Sequence, residues 1–187
     1  TSGRIVADPR YALRIIMNGR DADDDWGVGD VFQMYESLDE GETLTSILNT
    51  DGERINNYEF ARSNPDVIYV SGQVDIHRSQ DGGKTWNILP KRAFGEDVIT
   101  GFAPMMLAVH PRQENTVWVT NTNAGGAVAY TTDGGKTWTN PLDENMKETP
   151  FCWIILTGDE VNGVYLGSAN GAKVFYKDDT MENWMDY

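Results

Sequence analysis

Little in these 187 residues invites covalent or metal chemistry. Cys152 is the only cysteine, so an internal disulfide is excluded. It stands in the apolar run "PFCWIIL", where a free thiol behaves as a small hydrophobe, and a buried structural role is expected for it. Histidine is nearly as scarce. His77 and His110 are isolated from each other, and two such imidazoles do not make a typical zinc site without carboxylate help. Cations are outnumbered, with 15 Lys and Arg against 29 Asp and Glu, giving a net charge of −14. Nucleic acid and anionic membrane surfaces both need a basic footprint, so neither is an expected partner. No apolar run approaches the roughly 18 residues of a spanning helix, so no membrane insertion is expected. Sustained 3.6-residue periodicity is missing too, and almost no helix is expected. The opening "TSGRIVADPR" has no starting Met, basic stretch or apolar leader, and reads as the beginning of a mature piece or of part of something longer.

What is present is globular, at 40% hydrophobic and 11% aromatic, and it is repetitive. The hexamer "DGGKTW" occurs as Asp81 to Trp86 and again as Asp133 to Trp138. Related stretches are "SLDEGETL" (Ser37 to Leu44) and "KDDTMENW" (Lys177 to Trp184). The shared aspartates Asp39, Asp81, Asp133 and Asp179 are spaced 42, 52 and 46 apart. Around each lie four short runs rich in β-branched and aromatic residues. In the second unit these are "YEFARSNP", "DVIYVSG", "VDIHRSQD" and "TWNIL". Pro, Gly, Asn and Asp bound them, as they bound strands. Units of about 45 residues carrying four strands each indicate propeller blades rather than helical solenoids. The expected fold is all-β: one β-propeller region over 1–187, with antiparallel four-stranded blades near 1–48, 49–95, 96–145 and 146–187.

The pattern S/T-x-D-x-G-x-T-W resembles the Asp-box, or bacterial neuraminidase repeat, of sialidases, xyloglucanases, sortilin-type receptors and many secreted propellers. The second and third copies match it closely, the first has Leu44 for the Trp, and the fourth has Met181 and Asn183 where Gly and Thr belong. The resemblance implies a turn joining the third and fourth strands of each blade. In that turn Asp39, Asp81, Asp133 and Asp179 accept backbone N–H bonds. Gly41, Gly83 and Gly135 take positive φ. Thr43, Thr85 and Thr137 return a hydroxyl, and Trp86, Trp138 and Trp184 pack against a neighbouring strand or blade. The repeated residues are thus structural. Such propellers commonly have six or more blades, so the remaining blades, of this chain or another, are expected partners.

In an antiparallel meander the second-to-third turns and the links between blades share the side away from the boxes. In the resembling enzymes the ligand sits there. The longest such loop is "NGRDADDDWGVGD", Asn18 to Asp30. Three readings of it stand open. Asp21, Asp23 and Asp25 alternate as calcium ligands do, although Trp26 occupies the sixth position where a calcium loop has Gly. Alternatively Trp26 stacks on a sugar ring while Arg20 and the carboxylates bond hydroxyls. Thirdly, the loop is a solvated acidic surface. "TDGERINN" (Thr50 to Asn57), "PKRAFGEDVITGF", "NTNAGGA" (Asn121 to Ala127) and "PLDENMKETP" complete this side.

A sialidase-like enzyme would need three arginines on a carboxylate, and no motif binds Arg4, Arg20, Arg54 and Arg92 together. Xyloglucanase-type propellers carry an acid in a "TDIGGAYRS"-like stretch, and here "TNTNAGGAVAYTTDGGKTW" has Asn123 at that place. A neutral amide is neither general acid nor general base. The last blade, "VFYKDDTMENWMDY", resembles display modules of secreted or surface proteins of Bacteroidetes-type bacteria. The expectation is therefore a non-catalytic, extracellular or cell-surface module of bacterial type that binds a glycan or a protein. Cofactors are none, or calcium. The alternative is a portion of a propeller glycoside hydrolase, xyloglucanase- or sialidase-like.

Overall fold

The structure, a computed structural model, describes residues 4–21, 31–89, 105–121, 127–169 and 173–187. The first sheet runs in chain order through β1 (Ile5–Ala7), β2 (Ile15–Asp21), β3 (Val31–Ser37) and β4 (Thr45–Asn49). β5 (Ile55–Phe60), β6 (Ile68–Gly72), β7 (Ile76–Ser79) and β8 (Asn87–Ile88) form the second. The third comprises β9 (Met105–Val109), β10 (Val117–Asn121) and β11 (Ala127–Thr131). Its fourth position is held by a single antiparallel bridge from Tyr130 to Thr139. β12 (Phe151–Leu156), β13 (Val164–Ser168), β14 (Val174–Lys177) and β15 (Met185–Asp186) make the fourth. Each is an antiparallel meander, and the one helical piece among the described residues is a 3-10 turn at Glu144–Met146.

The sheets stack face to face, and their alternation shows how. Ile68 and Val70 of β6 pack toward the first sheet, on Ile16, Met34 and Leu48. Tyr69 between them points the other way, into a layer with Leu107, Val109, Val117 and Val119 of the third sheet. β10 repeats the arrangement, with Trp118 turned toward Phe151, Val164 and Leu166 of the fourth. β6 and β10 are therefore buried along their whole length. β12 is buried on one face only, with Trp153 64% and Ile155 63% exposed on the other. First strands meet between the later sheets: β9 lies against β5 on one side and β12 on the other.

Two boundaries differ from the sequence reading. β5 begins at Ile55, so the last residues of "TDGERINN" belong to a strand whose Ile55 and Asn57 side chains are buried. β2 likewise continues to Asp21, because the ladder pairs Arg20 with Phe32 and Asp21 with Val31. Arg20 and Asp21 thus stand on a strand end. Cys152 is half-buried rather than buried, on the partly covered β12, with its Sγ 3.7 Å from the Gly167 carbonyl oxygen.

Candidate functional site

The repeated hexamer, and its relative at Asp39 to Leu44, close the third-to-fourth turns of the first three sheets in one pattern. In the second sheet Asp81 Oδ1 accepts from the Thr85 amide at 2.9 Å and from the Ser79 hydroxyl at 2.8 Å. The Thr85 hydroxyl donates to Oδ2 at 2.6 Å, and the Gly83 amide donates to Ser79 Oγ at 2.8 Å. Asp39 with Ser37, Gly41 and Thr43 repeats the set. Asp133 with Thr131, Gly135 and Thr137 does so too. Hydrogen bonds from the Thr side chain and backbone to the ionised form hold Asp39 and Asp81 down to about 2. Asp133 is lowered for the same reason. Gly41, Gly83 and Gly135 have φ of 97°, 93° and 91°. The Trp86 indole N–H donates 2.7 Å across to the Ile47 carbonyl of the first sheet. Trp184 reaches back to the Pro141 carbonyl at 2.9 Å, and Trp138 packs on the layer between second and third sheets.

The fourth turn departs from this pattern. Asp178, not Asp179, receives the Thr180 amide at 2.8 Å and hydroxyl at 2.6 Å, with the Tyr176 hydroxyl on its other oxygen at 2.8 Å. Asp179 instead accepts from Asn162 Nδ2 at 2.5 Å. With Met181 and Asn183 in place of Gly and Thr there is no hydroxyl to return to Asp179. The turn closes one residue earlier, and the expected role of Asp179 passes to its neighbour.

The expected ligand groups Trp26 and Asn123, and the expected calcium ligands Asp23 and Asp25, lie outside the described residues. So do the side chains of Arg20 and Asp21. On the same side, Glu53 lies on the link between β4 and β5. It accepts the Val74 amide and, at 2.6 Å, the Asp75 amide, and it faces His77 Nε2 at 3.6 Å. Burial raises its pKa, yet the nearby His77 and the bonds from these amides lower it on balance.

A polar cluster on the first strands was not foreseen. Arg4 bonds Asn57 Oδ1 and stands 3.7 Å from Glu59 Oε1. The Tyr58 hydroxyl donates to the Arg4 carbonyl and accepts the Asn18 amide at 3.1 Å. Glu59 is pushed up by burial, offset in part by the Val109 amide, which donates to Oε2 at 2.9 Å. Arg4, Asn57 and Glu59 are separated in sequence by up to 55 residues and meet only when two sheets stack. The one linear signal was the unusual run of Asn56, Asn57 and Glu59 inside an apolar strand.

Radially stacked four-stranded meanders, each passing to the next by its first strand, define a β-propeller. The model of the sortilin-Vps10 family (sortilin, neurotensin receptor 3) matches residues 32–183, and the chain belongs to that family. Among solved structures it is similar to an ancestral GH74 enzyme, with a TM-score of 0.73 at 14% identity. That match covers 98% of this chain and 25% of the enzyme. It is also similar to the GH74 xyloglucanase from Xanthomonas campestris, with a TM-score of 0.72 at 12% identity over 97% of this chain and 30% of the enzyme. A third similar structure is YCF48 bound to D1 peptide, with a TM-score of 0.58, 15% identity, and coverage of 100% and 58%. The chain thus spans only 25% to 30% of the length of the two glycoside hydrolase structures. At these identities the likeness is one of fold. No curated protein matches the chain significantly.

Proposed function

We propose that these four sheets are part of a secreted or cell-surface Asp-box propeller of bacterial type that binds a glycan or a polypeptide and does not turn it over. The observation that carries this reading is Asn123, which stands where a xyloglucanase-like stretch has its acid. The described carboxylates support it. Those of the repeated turns are saturated by their own loops, and Glu53 is committed to two backbone amides and His77. The family is named for a receptor, and YCF48 was solved with a peptide; both speak for a macromolecular ligand. Calcium held by Asp21, Asp23 and Asp25 is part of the proposal. Its test is a calorimetric titration with calcium, in which no heat and no thermal shift would remove the metal.

Glu59 favours the second reading, a portion of a glycoside hydrolase. It lies on the first strand of its sheet with its carboxyl raised by burial, as a general acid requires. Its Oε2 is occupied by the Val109 amide and Arg4 stands at Oε1, which suits a strut better than a proton donor. The full-length protein assayed on xyloglucan oligosaccharides and sialosides, beside a glycan array and peptide panel, separates the two. Binding without turnover is expected. Turnover abolished by Glu59→Gln in a protein that still folds would overturn the binding reading.

A further inference from the structure

Each junction between consecutive sheets can be compared on the box side, because the sheets share one register. Asp66, Asn115 and Asn162 all lie two residues before the second-strand residues Ile68, Val117 and Val164. Those residues pair with the equivalent third-strand positions Ser79, Thr131 and Lys177. At the first junction Arg10 donates to Asp66 Oδ1 at 2.8 Å, and Arg14 to the Gly82 carbonyl at 2.6 Å. Arg14 is buried and lies over the Phe60 ring, 5.2 Å from its centroid. At the second junction Arg78 fills both places, with Nη2 on Asn115 Oδ1 at 2.6 Å and Nη1 on the Gly134 carbonyl at 3.3 Å. It too is buried, 5.4 Å over the Tyr69 ring that faces it in register. Two guanidinia at the first junction, and one at the second, thus join one sheet to the next by a side-chain oxygen, a turn carbonyl and an aromatic face.

At the third junction an asparagine is kept at the equivalent place and the buried, ring-stacked arginine is gone, while Arg112, the counterpart of Arg10, crosses to the Asp159 carbonyl outside the cleft. Trp118 stands at the register place of Tyr69, and Tyr130 at that of Arg78, stacked on Trp118 with centroids 4.8 Å apart. Asn162 replaces Asn115, its Oδ1 3.1 Å from His110 Nε2. The turn beyond it offers carboxylates, Asp178 and Asp179, where the others offer a glycine carbonyl. Trp184 closes the wall edge-on to Trp118 at 6.3 Å. What remains between the sheets is a cleft of about 310 Å³. No arginine lines it among the described residues, and its one cation, Lys177, is drawn to the Glu182 carbonyl at 2.7 Å.

We propose that this cleft is a receptor for a guanidinium supplied from outside, an arginine side chain of a partner polypeptide entering where Arg78 sits one junction earlier. Two carboxylates, an amide oxygen and an indole wall match a planar cation that donates in its plane and stacks through its face. A chain of net charge −14 favours such a partner by its long-range field. A side chain is favoured over a free guanidino compound because the internal arginines arrive from a neighbouring backbone. The site is on the side opposite the loops discussed above and does not depend on what they bind.

The test is calorimetric titration of the full-length protein with N-acetyl-arginine amide, its uncharged isostere N-acetyl-citrulline amide, and a pentapeptide with central arginine flanked by glycines. The arginine probes are expected to bind, the pentapeptide at least as tightly as the amide, and citrulline at least tenfold more weakly. Asp179→Asn, at an exposed position, should weaken arginine binding at least threefold while leaving the melting temperature within a degree. Tyr130→Arg places the arginine of the second junction inside the cleft and should abolish binding in a folded protein. Equal binding of arginine and citrulline, no binding of either, or affinity unchanged in Asp179→Asn would overturn the proposal. Binding of the amide without the pentapeptide would overturn the polypeptide partner.

Discussion

Each repeated turn puts two successive residues into the left-handed region, and the first copy does so without its second glycine. Gly82 and Gly134 have φ of 75° and 76°, while Glu40 holds 62° at the same place. A Cβ-bearing residue there costs about 1–2 kcal/mol, against which glycine loses some chain entropy on folding. Glu40→Gly is therefore expected to stabilise the protein by about 0.5–1 kcal/mol, read as a raised urea midpoint at constant slope. The converse change is harsher. A Cβ on Gly134 would lie 2.4 Å from Arg78 Nη1, so Gly134→Ala should destabilise through both the dihedral and the displaced guanidinium. The turn aspartates set an acid limit as well. Asp39 and Asp81 ionise near 3.8 when unperturbed and about 2 when folded, so they favour the folded state above the higher value and cease to as pH falls through the lower. The part of the urea midpoint that these two aspartates control should be constant above pH 4 and drop toward pH 2, and Asp81→Asn should reduce that drop while lowering the midpoint at neutral pH.

At the level of the strand and the sheet, the stacking is held by residues that reach across. Arg78 is buried and ties the second sheet to the turn of the third. Arg78→Met would leave Asn115 Oδ1 and the Gly134 carbonyl short of a donor, which costs about 1–3 kcal/mol. Arg78→Lys should recover less than half, since one ammonium cannot span both acceptors and lie flat on Tyr69. Chemical denaturation of the three proteins checks this ordering. The strands themselves were legible in sequence because "DGGKTW" phased them: the alternation in "DVIYVSG" and "TVWVTNT" is that of β6 and β10. The arginine ties were not legible. Arg14 lies before β2 and Arg78 within β7, at different places in their units, and only stacking shows that both meet the next turn. The one-residue slip of the fourth turn escaped for a similar reason. "KDDTMENW" offers two adjacent aspartates, and the choice between them depends on the Tyr176 hydroxyl and Asn162, which lie outside the turn. The segment from Asn18 to Asp30 stands out in sequence by its excess of length, and three readings of its aspartates share that one sequence.

For the whole molecule, the decisive fact is an asymmetry between inner and outer sheets. The second and third are covered on both faces, and the first and fourth on one. The fourth sheet turns Trp153 and Ile155 outward with Tyr165, Val174 and Met185, and the first presents Ile5, Leu13 and Leu38. Scattered exposed apolar residues are ordinary, but those of the fourth sheet fall on the strand alternation of a sheet whose opposite face is packed core. The physical completion is another sheet on each side, which agrees with a chain that spans a fraction of similar propellers. Prepared by itself, this chain is expected to associate through those faces, showing by light scattering a mass above the 20.9 kDa of one copy. Trp153→Asp with Ile155→Asp should return it to a single copy with unchanged far-ultraviolet circular dichroism, because neither side chain contributes to a layer between described sheets. A wild-type chain that runs as a compact monomer, with both indoles and aliphatics of that face shielded from solvent quenchers, would instead mean that the four sheets close on themselves. In that case the open face seen here would have to be covered by the first sheet, and the two aspartates would then unfold the protein rather than disperse it.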